Sequence, residues 1–220
     1  MPSRRTTRAV SRNPRRDFVG GFWFQATGTL LRSGGEKWRS VWPTVGSYDG
    51  RVIEARVIPH ERRPVPRTGD EKAMLSAFLD RYRETIIWKL KGISKEQASR
   101  RLVPSDTTLL GVVKHLAYVE RYWFHDFKGD PVSFPWKEGE PETEFVIEPQ
   151  DTVESITTFY EGEIARSREI VEQSSLDELS KAAKEPLNLR WIMIHMIEET
   201  ARHAGHADIL RELTDGAIGQ

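Results

Sequence analysis

Apolar residues recur with the spacing of an α-helix in the part of the chain that follows residue 67. Between Asp70 and Ile93 the apolar positions are Leu75, Phe78, Leu79, Tyr82, Ile86 and Leu90. Intervals of three and four residues bring these side chains onto one face of a helix. Gly92 is suited to the end of that helix, since glycine readily adopts the left-handed conformation found there. The pattern therefore predicts a first helix over 70–93.

A second long helix is predicted from Asp106, as its cap, to about Phe127. It follows a short helical turn that begins with a capping-box pattern from Ser94 to Gln97 and ends before Pro104. The inward-facing positions of the second helix are Thr108, Val112, His115, Val119 and Tyr122. A histidine within an otherwise apolar stripe is either a core residue bonded to a backbone carbonyl or a residue that binds a ligand.

Two further helices follow a long loop. The loop from Gly129 to Gln150 contains four prolines, which disfavour regular helix. The third helix is predicted from Asp151 to about Gln173, and the fourth from near Leu189 to Gly216. Four long helices with one long connection are typical of a four-helix bundle. The predicted fold class is therefore all-α, with the bundle over residues 67–220.

The first 66 residues lack a sustained helical or strand period. Only the stretch from Arg51 to Ile58 resembles a strand, and the sequence shows no obvious partner for it. A lone pair of strands is only marginally stable in water. We therefore predict that residues 1–66 form a mostly disordered, Arg-rich extension that is dispensable for the fold of the bundle.

Charge divides the chain at the same place. Residues 1–67 carry fourteen basic and five acidic side chains, and the remainder has a net charge of −9 because the whole chain is neutral. The arginines, with Trp23, Trp38 and Trp42 nearby, would suit an arm that binds nucleic acid, because arginine neutralises phosphate and aromatic rings stack on bases. They are also typical of a solvated tail. We favour the tail, so nucleic acid is not an expected partner.

The absence of cysteine limits the chemistry of the chain. It excludes disulfides, thiolate nucleophiles and cysteine-based zinc sites, so a bound metal would need histidines and carboxylates. No apolar run approaches the roughly 20 residues that span a bilayer, which argues against an integral membrane protein. Arg15 and Arg16 are similar to the start of a twin-arginine export signal, but polar residues interrupt the segment that follows. We therefore expect a cytoplasmic protein.

Candidate chemistry is concentrated in the fourth helix. At about 100° per residue, four polar side chains fall within about 80° of one another on the face that carries apolar core positions; they are His195, Glu199, His203 and His206. Glu199 and His203 are four residues apart, which places a carboxylate beside an imidazole. Burying these groups without a partner would be costly, and a divalent cation would supply one.

A metal site in a bundle needs a ligand from a facing helix, and His115 is the candidate. With Glu199 and His203 it would form a His/Glu/His site that leaves positions open for water or substrate. His195 and His206 either bind the metal instead or orient a residue that does, and His206 also fits a solvated position at the bundle mouth. Zinc is the first expectation, and nickel, iron and manganese suit the same ligands.

Aromatic residues cluster around this part of the sequence. They are Tyr118, Tyr122, Trp123 and Phe124 on the second helix, with Phe134 and Trp136 on the loop. Such residues either line a ligand pocket beside the metal or fill the core, and helical spacing favours the core.

Two segments of the chain resemble the DinB-like four-helix metalloproteins. The first runs from Gly111 to Trp123 and the second from Glu199 to Asp208. The likeness extends over about Pro66 to Gly216 and omits the extension. By this resemblance, a histidine of the second helix and two residues four apart on the last helix bind a divalent metal.

The residues at those positions are His115, Glu199 and His203, and the resemblance implies that they are the ligands. Glu199 departs from the three-histidine pattern of many such proteins. It is similar in this respect to the branch of mycothiol-dependent maleylpyruvate isomerases. Relatives of this kind use a low-molecular-weight thiol for S-transfer or isomerisation.

The resemblance therefore implies metal-dependent transfer of a small thiol, with mycothiol as the candidate, onto a small electrophile. The thiol must come from outside, because the chain has no cysteine. Alternatives are metal-assisted hydrolysis and a non-catalytic metal-binding protein of the stress response. Motifs of nucleotide-dependent enzymes and serine hydrolases are missing. The catalytic residues stay open, as does the oligomeric state, for which a homodimer is one alternative.

Overall fold

The described part of the chain is mostly helical. The computed structural model describes residues 45–48, 51–57, 63–135, 143–181 and 186–218. Its α-helices are α1 (Glu71–Lys89), α2 (Lys95–Ala98), α3 (Leu109–Glu120), α4 (Asp126–Lys128), α5 (Val153–Gln173) and α6 (Leu189–Asp215). A π-helical turn spans Arg121–His125 and a 3-10 turn spans Thr143–Phe145. The predicted all-α class is confirmed.

The four long helices pack around apolar side chains. α1 lies along α6, and α3 lies against both α5 and α6. Buried residues from all four helices fill the contacts, among them Ile86, Leu110, Leu116, Tyr160, Ile164 and Met196. Each of the isoleucine, leucine and methionine side chains among them stabilises the fold by roughly 1.5–3 kcal/mol relative to exposure. The packing is consistent with the predicted bundle, and it brings the inward faces of α3 and α6 together. None of the described helices has a stretch long and apolar enough to cross a membrane.

A buried ion pair joins α1 to α3. Arg83 donates from Nε and Nη2 to the two carboxylate oxygens of Glu120, at 2.7 and 2.6 Å. Ser167 of α5 donates to the same carboxylate at 2.7 Å. Removing one partner would leave a buried charge unpaired, which typically costs about 3–5 kcal/mol. The network therefore ties together the three helices that it contacts.

Helix caps confirm two of the predicted helix starts and correct two others. Asp70 caps α1 by accepting from the Ala73 amide at 3.0 Å, and Asn188 caps α6. α3 begins later than predicted, because Thr108 rather than Asp106 accepts from the first turn. Thr152, not Asp151, caps α5. Thr108 and Thr152 accept from the amides of Gly111 and Ser155, whereas Asp106 pairs with the nearby Arg101 and Asp151 pairs with Lys114 of α3.

The continuous helix predicted up to Phe127 is interrupted by the π-helical turn after Glu120. A π-turn holds one more residue than an α-turn and so rotates the side chains that follow. Tyr122, predicted to face inward, is therefore 43% exposed, while Phe124 is fully buried. α4 ends at Gly129, whose φ of 71° is the left-handed conformation that favours glycine.

The described residues also form four short strands. β1 (Val45–Tyr48) and β2 (Arg51–Glu54) form an antiparallel hairpin, and β3 (Arg56–Val57) pairs in parallel with β4 (Ala217–Ile218) after α6. The strand expected near 51–58 is thus present, but the expectation that it lacks a partner is wrong. The predicted stretch divides into β2, whose partner β1 directly precedes it in the chain, and β3, whose partner β4 lies some 160 residues away. Residues 1–44, 49–50 and 58–62 of the predicted extension lie outside the described residues.

Candidate metal centre

The structure brings together the three residues that the sequence predicts as metal ligands. One ligand atom each from His115, Glu199 and His203 lies within 4.8 Å of the others. Glu199 Oε1 is 3.1 Å from His203 Nε2 and 3.4 Å from His115 Nε2. The two imidazole rings are 4.8 Å apart between centroids. Two nitrogen donors and one carboxylate oxygen therefore converge on one point.

Helix geometry explains how these side chains meet. Glu199 and His203 stand one turn apart on α6, so their side chains are neighbours whatever the rest of the fold does. His115 comes from α3, and the packing of α3 on α6 places it opposite them. The three side chains are only 9–13% exposed. The site therefore lies at the edge of the core with limited access to water.

Burial and charge set the protonation of the site. Burial, and next the neighbouring His115, lower the pKa of His203 from its ordinary 6.5 to about 4, although Glu199 opposes the shift. Burial works to raise the pKa of Glu199, but His203, His115 and Arg202 together hold it below its usual value. At neutral pH His203 is thus neutral and Glu199 is ionised. These are the states in which both groups can bind a cation.

The hydrogen-bonding state of the imidazoles fits a cation. Both rings point Nε2 at Glu199 Oε1, and both Nδ1 atoms are buried without a hydrogen bond to any described residue. If both Nε2 atoms carried protons, both buried Nδ1 acceptors would stay unpaired. If a cation took the Nε2 lone pairs, Nδ1 would carry the proton, and for His115 a carboxylate oxygen of Glu144 lies 3.5 Å away. The donor set and the surroundings of His115 Nδ1 therefore fit a divalent cation.

Sequence reasoning missed Glu144 and Phe145, which complete the surroundings of His115. Both belong to the 3-10 turn, and the Phe145 ring stacks on the His115 ring at 4.1 Å. Lys114, next to His115, anchors this turn by donating to the Val146 carbonyl at 2.8 Å. A lone glutamate in an irregular loop carries no periodic signal, so the sequence offered no way to place it.

A guanidinium group outside the cluster also contacts the Glu199 carboxylate. Arg202 pairs with Glu199 Oε2 at 3.1 Å and also with the exposed Glu198. This contact leaves Oε1 of Glu199 to face the two histidines. Arg202 therefore orients the carboxylate within the cluster.

The other predicted histidines take different positions. The His195 ring stacks on Trp191 at 5.2 Å and meets the edge of Trp123 at 4.6 Å. His206 is exposed, and its ring lies 5.3 Å from that of His203. The structure therefore places His206 beside the cluster, as a residue at its mouth, and places His195 in an aromatic group with the two tryptophans.

Among the described residues, two pockets border the cluster. The first, of about 340 Å³, is lined by His115, Tyr118, Val119, Tyr122, Trp123 and Glu144, and we call it the aromatic pocket. The second, of about 1070 Å³, reaches His203 and His206 and is bordered by α2, the residues before α3 and the loop after the 3-10 turn; we call it the polar pocket. Three of the six aromatic residues noted in the sequence thus line a pocket, whereas Phe124 is core. Trp136 lies outside the described residues.

Comparisons with known proteins agree with this architecture. A family model described as mycothiol-S-transferase matches residues 74–216. The crystal structure of a conserved protein from Enterococcus faecalis is similar in fold, with a TM-score of 0.50 and 16% sequence identity. That alignment covers 68% of this chain and 99% of the other. A search of curated proteins found no match.

Proposed function

Because the chain belongs to the mycothiol-S-transferase family, we propose that it is a metal-dependent enzyme that transfers a low-molecular-weight thiol, with mycothiol as the first candidate, to a small electrophile. The observation that carries the proposal is the convergence of His115, Glu199 and His203 between two pockets. A site for one substrate would need only one opening. A reaction between a thiol and an electrophile needs room for both.

His115, Glu199 and His203 would hold the metal, and zinc is the first candidate. When bound, a divalent cation lowers the pKa of a neighbouring thiol so that a thiolate exists near neutral pH. Arg202 keeps the Glu199 carboxylate turned toward the histidines. Phe145 covers one face of His115 and limits the access of water. The residues of this chain thus orient the metal ligands and partly exclude water from the site.

The proposed reaction balances without an oxidant or a reductant. The thiol of the cosubstrate loses its proton to solvent, and a sulfur lone pair forms a carbon–sulfur bond with the electrophilic carbon. In a substitution, the leaving group departs with the electron pair of the broken bond. No cysteine of the chain takes part, since it has none.

Turnover of a model electrophile tests the proposal. Purified protein is mixed with 1-chloro-2,4-dinitrobenzene and mycothiol, and the thioether product and chloride are measured. We expect product formation that depends on mycothiol and is lost in Glu199→Ala. Glu198→Ala is the matched control, because Glu198 is the adjacent glutamate and its side chain is 57% exposed; this variant should remain active.

Other outcomes identify the alternatives. Hydrolysis of an ester or amide substrate without thiol would favour a metal-assisted hydrolase. Stoichiometric metal with no turnover of any substrate would favour a non-catalytic metal-binding protein. Mycothiol-dependent turnover that survives Glu199→Ala would contradict the proposed role of the cluster.

A further inference from the structure

The two pockets beside the cluster differ in size and in chemistry. The aromatic pocket contacts the cluster through His115, and the polar pocket contacts it through His203. Phe145 borders the polar pocket and also stacks on His115. His115 and His203 therefore face different pockets, although the centroids of their rings are only 4.8 Å apart.

We propose that the two pockets divide the substrates: the polar pocket binds the polyhydroxylated part of the thiol, and the aromatic pocket binds a flat, apolar electrophile. This inference rests on the proposed function and adds to it the chemical class that each space takes. The assignment follows from volume, from the lining side chains and from their charges.

The aromatic pocket suits a single ring. Its volume of about 340 Å³ is at the lower end of the range of ligand sites. Tyr122 and Trp123 meet edge to face at 5.2 Å and 82°, and Phe134 packs against Tyr122 at 5.9 Å. Aromatic walls favour flat apolar ligands, because stacking adds to the burial of apolar surface. Tyr122 is 43% exposed, so a ligand that covers it gains surface burial without displacing a core residue.

The polar pocket suits a larger ligand with many hydroxyl groups. Its volume of about 1070 Å³ exceeds what a small electrophile fills. Ser105 and Thr107 border it, together with charged side chains of both signs, which include Arg101 and Asp106. Apolar side chains of the loop after the 3-10 turn, Val146, Ile147 and Pro149, form part of the same lining. Mixed charges do not favour a simple anion or cation. Carboxylates, guanidinium groups and hydroxyls do pair with the hydroxyls of a sugar, which both donate and accept hydrogen bonds.

Binding measurements on the full-length protein test the division without relying on turnover. Equilibrium dialysis gives the Kd of three ligands: mycothiol, N-acetylcysteine, which has the thiol but no sugar, and 1,3-dinitrobenzene, which has no leaving group and does not react. The polar-pocket variant is Asp106→Ala/Thr107→Val, and the aromatic-pocket variant is Tyr122→Ala. Asp106 is exposed and Thr107 precedes the cap of α3, so the bundle should stay folded, which circular dichroism verifies.

The division predicts opposite responses from the two variants. Asp106→Ala/Thr107→Val should raise the Kd of mycothiol about tenfold, since each lost hydrogen bond is worth up to about a factor of ten, and leave N-acetylcysteine and 1,3-dinitrobenzene within about twofold. Tyr122→Ala should raise the Kd of 1,3-dinitrobenzene about fivefold or more and leave mycothiol within about twofold.

Two results would overturn the inference, and they are distinguishable from failure of the proposed function. If wild type binds mycothiol but the polar-pocket variant binds it equally well, or if Tyr122→Ala weakens mycothiol instead, the division is wrong and the S-transferase proposal stands. If wild type does not bind mycothiol at all, the proposed function fails and the division fails with it.

Discussion

Gly111 of α3 and Phe145 of the 3-10 turn approach each other so closely that a side chain does not fit between them. A Cβ atom added to Gly111 would lie 2.7 Å from the carbonyl oxygen of Phe145, well inside normal contact distance. The close approach allows the turn to lie on α3, with Phe145 stacked on His115 and Glu144 near its Nδ1. Because Gly111 has no side chain, Glu144 and Phe145 can lie against His115.

Gly111→Ala should therefore disturb the candidate metal centre from a distance. We expect a loss of about 1–3 kcal/mol in the free energy of unfolding, as overpacking typically costs, and weaker metal retention. Urea unfolding and elemental analysis measure the two effects. Gly205→Ala is the matched control, because Gly205 lies on α6 with nothing within 4 Å of an added Cβ. That variant should keep its metal and be slightly more stable, since alanine favours helix over glycine; equal behaviour of both variants would contradict the positioning role.

About one equivalent of divalent metal is expected in protein purified without chelator. His115→Ala, Glu199→Ala and His203→Ala should each lose it, because each removes one of three converging donors. Glu198→Ala should retain the metal. Elemental analysis of the four variants and wild type makes the comparison. A wild type without metal, or retention by Glu199→Ala, would show that the ligands are assigned wrongly.

Glu144→Gln should weaken metal affinity roughly 10–100-fold, as the loss of residues that orient a ligand does. The Glu144 carboxylate lies 3.5 Å from His115 Nδ1, where it can orient the His115 ring. The orienting role predicted for His195 implies the same loss in His195→Ala. Competition with a chromogenic chelator measures both affinities. Loss in Glu144→Gln alone would assign the role to the loop, whereas loss in His195→Ala alone would assign it to α6.

Acid should destabilise the metal-free protein through His203. Its pKa of about 4 in the folded protein lies below the ordinary 6.5, so between these values the unfolded chain binds more protons and unfolding is favoured as pH falls. The contribution is on the order of 2–3 kcal/mol between pH 6.5 and 4. Urea unfolding at several pH values measures it. His203→Gln should show a shallower decline than wild type over this range; parallel curves would mean that another group is responsible.

A chain that begins at Arg67 is proposed to keep its metal and to melt within about 5 °C of the full-length protein. Among the described residues it loses the β1–β2 hairpin with its contacts to α6, the two-residue pairing of β3 with β4, and the ion pairs Arg56–Asp215 and Arg63–Glu84. Exposed pairs contribute little, typically below about 1 kcal/mol each. Calorimetry measures the shift. An insoluble product, or a melting temperature more than about 10 °C lower, would show that the preceding residues belong to the core.

The long helices were readable from the sequence because helix formation is largely local. The apolar spacing from Asp70 onward and the glycine at Gly216 each act over a few residues, and the structure agrees on the start of α1 and the end of α6. α1 itself ends at Lys89, short of the predicted Ile93. The pairing of Glu199 with His203 is local for the same reason, since a separation of four residues fixes their side chains on one face of α6.

Elements that depend on distant contacts were decided only by the tertiary structure. The cap of α5 is Thr152, while Asp151 pairs with Lys114 of α3, 37 residues earlier in the chain. The π-helical turn after Glu120 leaves no periodic signal, yet it turns Tyr122 outward to the aromatic pocket.

The residues around the cluster show the same difference between local and distant interactions. The sequence by itself determined that a carboxylate and an imidazole stand side by side on the last helix, because one turn of helix separates them. Only the fold decided that Glu144 and Phe145, from a loop without periodicity, lie against His115. Their placement depends on the packing of that loop on Gly111, some 30 residues earlier, and contacts between such distant residues have no signature in a local pattern.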